Sequence, residues 1–408
     1  MRAGEGKAQL HFPLAVALQA STIATQIIVG IGLARSMSVA DRGSVIAALL
    51  ITGLSVSLLA GGLSAATAQA ASLGESLGNR FVATVLTIAC VSGPVTALVV
   101  NLTPGVAEAT WVWQLLVLGP LGVLGTCGSA VASGTGRFLT AATIQFAPPV
   151  TALVALIALE LLGRTTTHAV VSGYVAGNAL AVLLTIVSLR ANIVRLYTSS
   201  SESPQRFKRF VRQAAWMHPS SVSQLIGLRA DTVMLAFMGG PSALSRYNVA
   251  TSYSSALQLP NILLRGRMIA RGPQTLDNPA RITRSIGLWL GVGGSALLMA
   301  LPIIPVVYGE HYNSAMRIAA ILIVAGILLF IRDIQANTLM GAGYAKHVAL
   351  IEGALALTSI PVYGFAIYFD GAEGAAIGSI AVYGSGVALF WMRIRMARHN
   401  RVGSEVKL

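Results

Sequence analysis

The sequence predicts an all-α polytopic membrane protein with about 12 transmembrane helices in two sets of six. Three observations carry that expectation. The 408 residues are 55% hydrophobic and only 10% charged, with a mean hydropathy of +0.73, and a soluble chain of this length needs a far more polar surface. Apolar stretches of about 20 residues recur along the chain, the length that crosses the hydrocarbon core at helical rise. Charge is nearly absent from these stretches and gathers, mostly as Arg, in alternate gaps between them.

In chain order, the first six spans are Phe12 to Ala34, Gly43 to Gln69, Phe81 to Thr103, Trp111 to Ser133, Leu139 to Leu162 and Ala169 to Leu189. The second six are Ala214 to Met238, Tyr247 to Leu264, Ile286 to Tyr308, Ala315 to Met340, His347 to Phe369 and Gly374 to Met392. The segment Met1 to His11 is short and mildly basic, and the apolar run after it is too long for a cleaved signal, so it reads as the lead into a retained helix. Spans seven and eight are the most polar. His218, Ser220, Ser221, Ser223, Gln224, Arg229 and Asp231 load the seventh, and Asn248, Thr251, Ser252, Ser254, Ser255 and Gln258 load the eighth. Both are kept because removing one inverts every later segment and destroys the charge asymmetry. A Ser-rich segment from Tyr197 to Gln205, followed by basic Arg206 to Arg212, divides the chain into an N-terminal lobe, 1–196, a cytoplasmic linker, 197–213, and a C-terminal lobe with a basic tail, 214–408. An even number of spans per half gives both halves one orientation, as in parallel-repeat transporters.

With the N-terminus inside, the inner gaps and tails hold three quarters of the 28 Lys and Arg. This asymmetry predicts a multi-pass protein of the cytoplasmic membrane with both termini cytoplasmic. The outer gaps have no more than eight residues, too few for an extracytoplasmic domain. The net charge of +14 sits beside apolar spans rather than on a basic amphipathic face, so it points to topology and anionic membrane lipids, not to nucleic acid. Cys90 and Cys127 both fall inside apolar stretches and read as small core residues. The sequence has no Gly-rich phosphate loop, no His-Glu-x-x-His and no acidic cluster with metal spacing, so neither an enzyme, a metal site nor a cofactor is expected.

Charges that break the pattern are the candidates for function, because ionisable groups in lipid are costly and face a cavity or a partner. They are Arg229, Asp231, Arg332, Asp333 and Glu352. Arg229 lies roughly 14 Å deep from the outer end of span seven, near mid-membrane, and Asp231 is about 200° further round the helix, so the two cannot pair through one face. Arg332 and Glu352 flank the turn Gly341 to Lys346 at roughly 12 and 8 Å from the inner end, and they are expected to form a structural ion pair. His218, followed by Pro219 within span seven, reads either as a cavity residue or as an interhelical hydrogen-bonding one. A mid-membrane Arg beside polar helices suits an anionic head group, because guanidinium stays charged and binds phosphate oxygens in a fork.

The stretch from Leu33 to Gly43, Leu-Ala-Arg-Ser-Met-Ser-Val-Ala-Asp-Arg-Gly, resembles the signature closing the first helix of the polysaccharide-type flippases of the multidrug, oligosaccharidyl-lipid and polysaccharide exporter superfamily. Met37-Ser38-Val39 departs from that family's Leu-Gly-Pro. A second block, Arg229-Ala230-Asp231 followed by an apolar run, Gly239, Tyr247 and Ala250, is similar to the family's pattern opening the second half. The resemblance implies two lobes enclosing a central cavity and rocking between inward-open and outward-open states. It implies a polyprenyl-pyrophosphate-linked oligosaccharide as cargo, moved in cell-surface polysaccharide biosynthesis alongside polysaccharide assembly proteins. Substrate-facing roles would fall to Arg229, Arg35 and Arg42, with His218 and Gln224 on the same polar span. Asp231 would orient Arg229 or sense a coupling cation, Na+ or H+, and Arg246 would meet pyrophosphate or lipid phosphate. A cation-coupled drug or metabolite antiporter of the same superfamily is the alternative, and a membrane-embedded polysaccharide polymerase or ligase is the enzyme alternative.

Overall fold

With no water in a bilayer core, each backbone amide of a spanning segment must find its partner within the segment or a closed barrel. The computed structural model describes residues 5–73, 78–106, 111–197, 204–258 and 279–405, and among them there are helices and turns but no strand. The helices are α1 (Glu5–Ser36), α2 (Val39–Ser72), α3 (Gly78–Asn101), α4 (Val112–Gly134), α5 (Phe138–Leu161) and α6 (Thr167–Tyr197). They continue with α7 (Pro204–Met238), α8 (Gly240–Ser254), α9 (Pro279–Met299), α10 (Ile303–Tyr308), α11 (Asn313–Gly341) and α12 (Ala345–Glu405). Among the described residues, eight helices are long and apolar enough to cross a membrane. Many of their large apolar side chains point outward, including Leu98 at 60%, Leu161 at 83% and Leu357 at 74% exposure. Acyl chains are the solvent that suits such a surface. The protein is an all-α polytopic membrane protein.

The last of the eight, α12, is two spans. Asp370 (φ −138°, ψ 18°) and Gly371 (φ 53°, ψ −126°) break its helical geometry, and the conformation of Gly371 is one that a side chain would forbid. The chain doubles back there, since Tyr363 Oη donates to Ser379 Oγ across the bend at 3.2 Å.

The remaining spans differ in detail from their sequence boundaries. Span nine, drawn as Ile286 to Tyr308, ends as α9 at Met299 and resumes as α10 at Ile303. Pro302 occupies the cap between them, where a missing N–H costs nothing. Span eight, drawn to Leu264, is α8 followed by a 3-10 turn over Ser255–Gln258, and residues 259–264 lie outside the described residues. Residues 198–203 of the expected linker are likewise outside them, and the basic stretch Arg206 to Arg212 runs without interruption into α7.

By compactness the chain forms two units, Met1–Leu225 and Ile226–Leu408, whose boundary lies within α7. In the first unit, α4 packs against α2, α3, α5 and α6, and α1 packs against α5. Without a hydrophobic force between helices in lipid, small residues supply the close approach. A Cβ on Gly119 of α4 would lie 2.9 Å from Ser92 O and 3.0 Å from Gly93 N of α3. Phe210, at the start of α7, closes this unit's core edge-on against Phe81, with ring centroids 5.3 Å apart. In the second unit, α11 packs against α8, α9 and α12, and Ala336, Leu339, Val348 and Phe390 form a buried cluster.

Candidate functional site

In the first unit, helices α2, α4, α5 and α6 surround a cavity of about 450 Å3. Its polar lining includes Thr52, Ser57, Thr126, Ser129, Gln145 and Asn178, and no lining residue is charged. Gln145 donates to Ser129 Oγ at 2.8 Å and accepts from Gln19 at 3.2 Å, which holds one wall in place. Gly53 and Gly125 belong to the lining. A Cβ on Gly53 would meet nothing within 4 Å, and one on Gly125 only Ala181 at 4.0 Å, so the glycines leave this space open. The cavity escapes a reading of the sequence because its polar residues are scattered over four spans, each otherwise apolar.

Arg35 is exposed in the last turn of α1, whereas Arg42 is buried at 1% exposure. The sequence placed Arg42 in a gap between spans, but α2 begins earlier than that. Ser38 caps it, its hydroxyl accepting from Asp41 N at 3.1 Å and donating to Asp41 Oδ2 at 2.7 Å. Arg42 therefore lies in the first helical turn, its guanidinium turned toward Gly30 of α1, where a Cβ would be 3.8 Å from Nη2. His218 is half-buried against α2, where a Cβ on Gly62 would come within 2.7 Å of the His218 Cβ. The side chain of Gln224 lies outside the described residues.

The second unit separates the Arg229–Asp231 pair. Arg229 is exposed and Asp231 is buried at 5%, as their angular offset on one helix requires. Tyr247 Oη donates to Asp231 Oδ2 at 2.6 Å, and Oδ1 accepts from Thr232 N at 2.6 Å and Thr232 Oγ1 at 3.0 Å. Tyr247 Oη also lies 3.4 Å from Ser379 Oγ, which accepts from Tyr363 and donates to Ala375 O at 3.1 Å. A buried carboxylate in lipid is tolerable only with its lone pairs occupied, and this chain from α7 through α8 to α12 occupies them. Tyr247→Phe is therefore expected to cost about 1–3 kcal/mol, the penalty for leaving a buried acceptor short of a donor. Thermal melting in detergent measures it, and an unchanged midpoint would remove that hydroxyl from the account.

Arg332 and Glu352 are brought together, with Arg332 Nη2 donating to Glu352 Oε2. Arg332 is 1% exposed, and its guanidinium lies 5.8 Å from the Tyr383 ring centroid. Gly386 and Gly227 make room for it. A Cβ on Gly386 would lie 2.8 Å from Arg332 Cδ, and one on Gly227 would lie 3.6 Å from Nη2 and 3.9 Å from Glu352 Oε2. Tyr247, Ser379 and Tyr363 are the partners a sequence reading misses, although Tyr247 belongs to the quoted motif. Among the described residues there is no group of three or more His, Cys, Asp or Glu that could hold a metal ion.

No protein-family model matches the chain, and no curated protein matches it by sequence. Solved structures match along almost its whole length. One is a multidrug resistance MATE-family transporter of the MOP superfamily in an inward-facing conformation, with TM-score 0.68 at 13% identity, covering 94% of this chain and 99% of that one. A mutant of the Vibrio cholerae MATE transporter VcmN matches with TM-score 0.66 at 12% identity, covering 97% of each chain. The lipid II flippase MurJ, in an inward closed conformation, matches with TM-score 0.64 at 13% identity, covering 94% of this chain and 87% of that one. The chain therefore shares the fold of these solved structures along nearly its whole length.

Proposed function

We propose that the chain is a membrane transporter that flips a lipid-linked oligosaccharide of polyprenyl-pyrophosphate type across the cytoplasmic membrane by alternating access, in cell-surface polysaccharide biosynthesis. Arg229 carries this reading. Arg229 is exposed in the interior of α7, which the charge asymmetry reads as a span, while the neighbouring carboxylate is buried and bonded to Tyr247. A permanently charged fork in such a place suits the oxygens of a pyrophosphate. The uncharged, hydroxyl-rich and amide-rich lining of the first unit's cavity adds support, because neutral donors and acceptors suit sugar hydroxyls and offer an organic cation no counter-charge.

The Lys and Arg asymmetry supports both termini being cytoplasmic. In this reading Asp231 either steadies the polar network beside Arg229 or senses a coupling cation, Na+ or H+, and assembly proteins of the polysaccharide receive the cargo. The second reading is a cation-coupled antiporter of drugs or metabolites, favoured by the MATE structures of similar fold. Proteoliposomes decide between them. The protein is expected to move a fluorescent polyprenyl-pyrophosphate oligosaccharide between leaflets. Ion-gradient-driven efflux of a cationic dye without any lipid movement would sink the flippase and leave the antiporter.

A further inference from the structure

At one edge of the second unit, the first turns of α8, the start of α11 and the break in α12 border a cavity of about 310 Å3. Its lining carries four charges, Arg246, Arg317, Asp370 and Glu373, with Ser314 beside them. Two of the charges satisfy each other, Arg317 Nε lying 3.3 Å from Glu373 Oε2. The other two do not. Among the described residues Arg246 and Asp370 form no ion pair, and Arg246 Nε is buried without a hydrogen-bond partner. The cavity lining thus holds a guanidinium and a carboxylate that no ion pair among the described residues occupies. What complements both is a small molecule carrying a negative and a positive group.

The setting indicates where such a molecule comes from. Arg317 lies near the start of the apolar span Glu310–Gly341, and Asp370 lies at the bend between the two apolar halves of α12. The cavity therefore opens where hydrocarbon gives way to head groups. Immediately before Asp370, three aromatic side chains stand outward, Phe365 at 70%, Tyr368 at 76% and Phe369 at 68% exposure. They pack on one another, with ring centroids 4.6 Å apart for Phe365 and Phe369 and 5.2 Å for Tyr368 and Phe369. Exposed aromatic clusters at the end of a span mark the membrane interface, and this one offers a flat apolar surface to an acyl chain whose head occupies the cavity.

We propose that the cavity binds the zwitterionic phosphoamine head group of a membrane phospholipid, with phosphate on Arg246 and a primary ammonium on Asp370. A volume of about 310 Å3 is at the small end for ligand pockets, room for a head group and not for an oligosaccharide. The ammonium must carry N–H groups, because a trimethylated one gives the Asp370 carboxylate no donor. An anionic glycerol head group would satisfy Arg246 but face Asp370 with like charge.

Native mass spectrometry of the full chain in detergent, with equimolar phosphatidylethanolamine, phosphatidylcholine and phosphatidylglycerol, tests this. The wild type is expected to retain phosphatidylethanolamine about tenfold over either of the others, the scale of one charge-assisted contact. Arg246→Gln and Asp370→Asn should each erase the preference, and Arg246→Lys should keep part of it. Equal retention of the three lipids by the wild type would overturn the proposal, and that comparison stands whether or not a variant folds. A preference unchanged in both charge-removing variants would overturn it as well. Displacement by free O-phosphoethanolamine at the lipid's own concentration would overturn the assignment to a membrane lipid.

Discussion

Glu352→Ala is expected to destabilise the second unit by about 3–5 kcal/mol, the cost of stranding one member of a buried ion pair. Arg332 is 1% exposed, and Glu352 is its carboxylate partner. Nε and Nη1 of Arg332 have no hydrogen-bond partner among the described residues, so the guanidinium has little to fall back on when the carboxylate goes. The surroundings cannot collapse around it, because they are built to its shape. A Cβ on Gly386 would stand 2.8 Å from Cδ of this side chain and 3.1 Å from Leu355 Cδ1. Removing both charges is a different matter. Arg332→Met with Glu352→Leu keeps the volume and removes the desolvation cost, and should recover most of the lost stability. Melting of the two single variants and the double variant in detergent measures the coupling. A Glu352→Ala protein that melts with the wild type would refute the ion pair as a stabilising feature.

This pair was legible in the sequence because both residues interrupt apolar spans at matching depth on either side of one short turn. The eight long apolar helices among the described residues were legible from hydropathy, which reports the solvent a helix must meet. Asp231 shows where such reading stops. Its isolation from Arg229 follows from helical periodicity alone, but its partner, Tyr247, lies on another helix, and Ser379 and Tyr363 lie on two halves of a third. A tyrosine or serine in a span is compatible with packing, capping or ligand contact, and only the tertiary arrangement decides which. Arg42 was placed in a gap because its charge ended the apolar run, yet the Ser38 cap starts α2 before it and carries it into the interior. The neutral cavity of the first unit was invisible because glycines such as Gly53 and Gly125 shape it by what they lack.

Arg229→Ala is expected to lower transport of a pyrophosphate-linked cargo by at least about tenfold, the loss of one charge-assisted contact, while expression and melting stay near wild type. The asymmetry between the two readouts is the point of the experiment. Arg229 is exposed, and its neighbour Asp231 is turned into the unit and held by Tyr247 and Thr232. Truncating an exposed side chain with no hydrogen bond or ion pair among the described residues costs the fold little, within about 0.5 kcal/mol. A charge inside α7 with no ion pair or hydrogen bond among the described residues calls for a functional cause. Arg229→Lys separates charge from geometry, because ammonium is a point charge without the planar fork. It should retain part of the transport lost in Arg229→Ala if attraction alone matters, and little of it if two phosphate oxygens must be held together. Lys346→Ala, in the first turn of α12 and equally exposed, is the control for loss of a surface cation. Full transport by Arg229→Ala at wild-type expression would end the role assigned to this residue, and with it the strongest support for an anionic cargo.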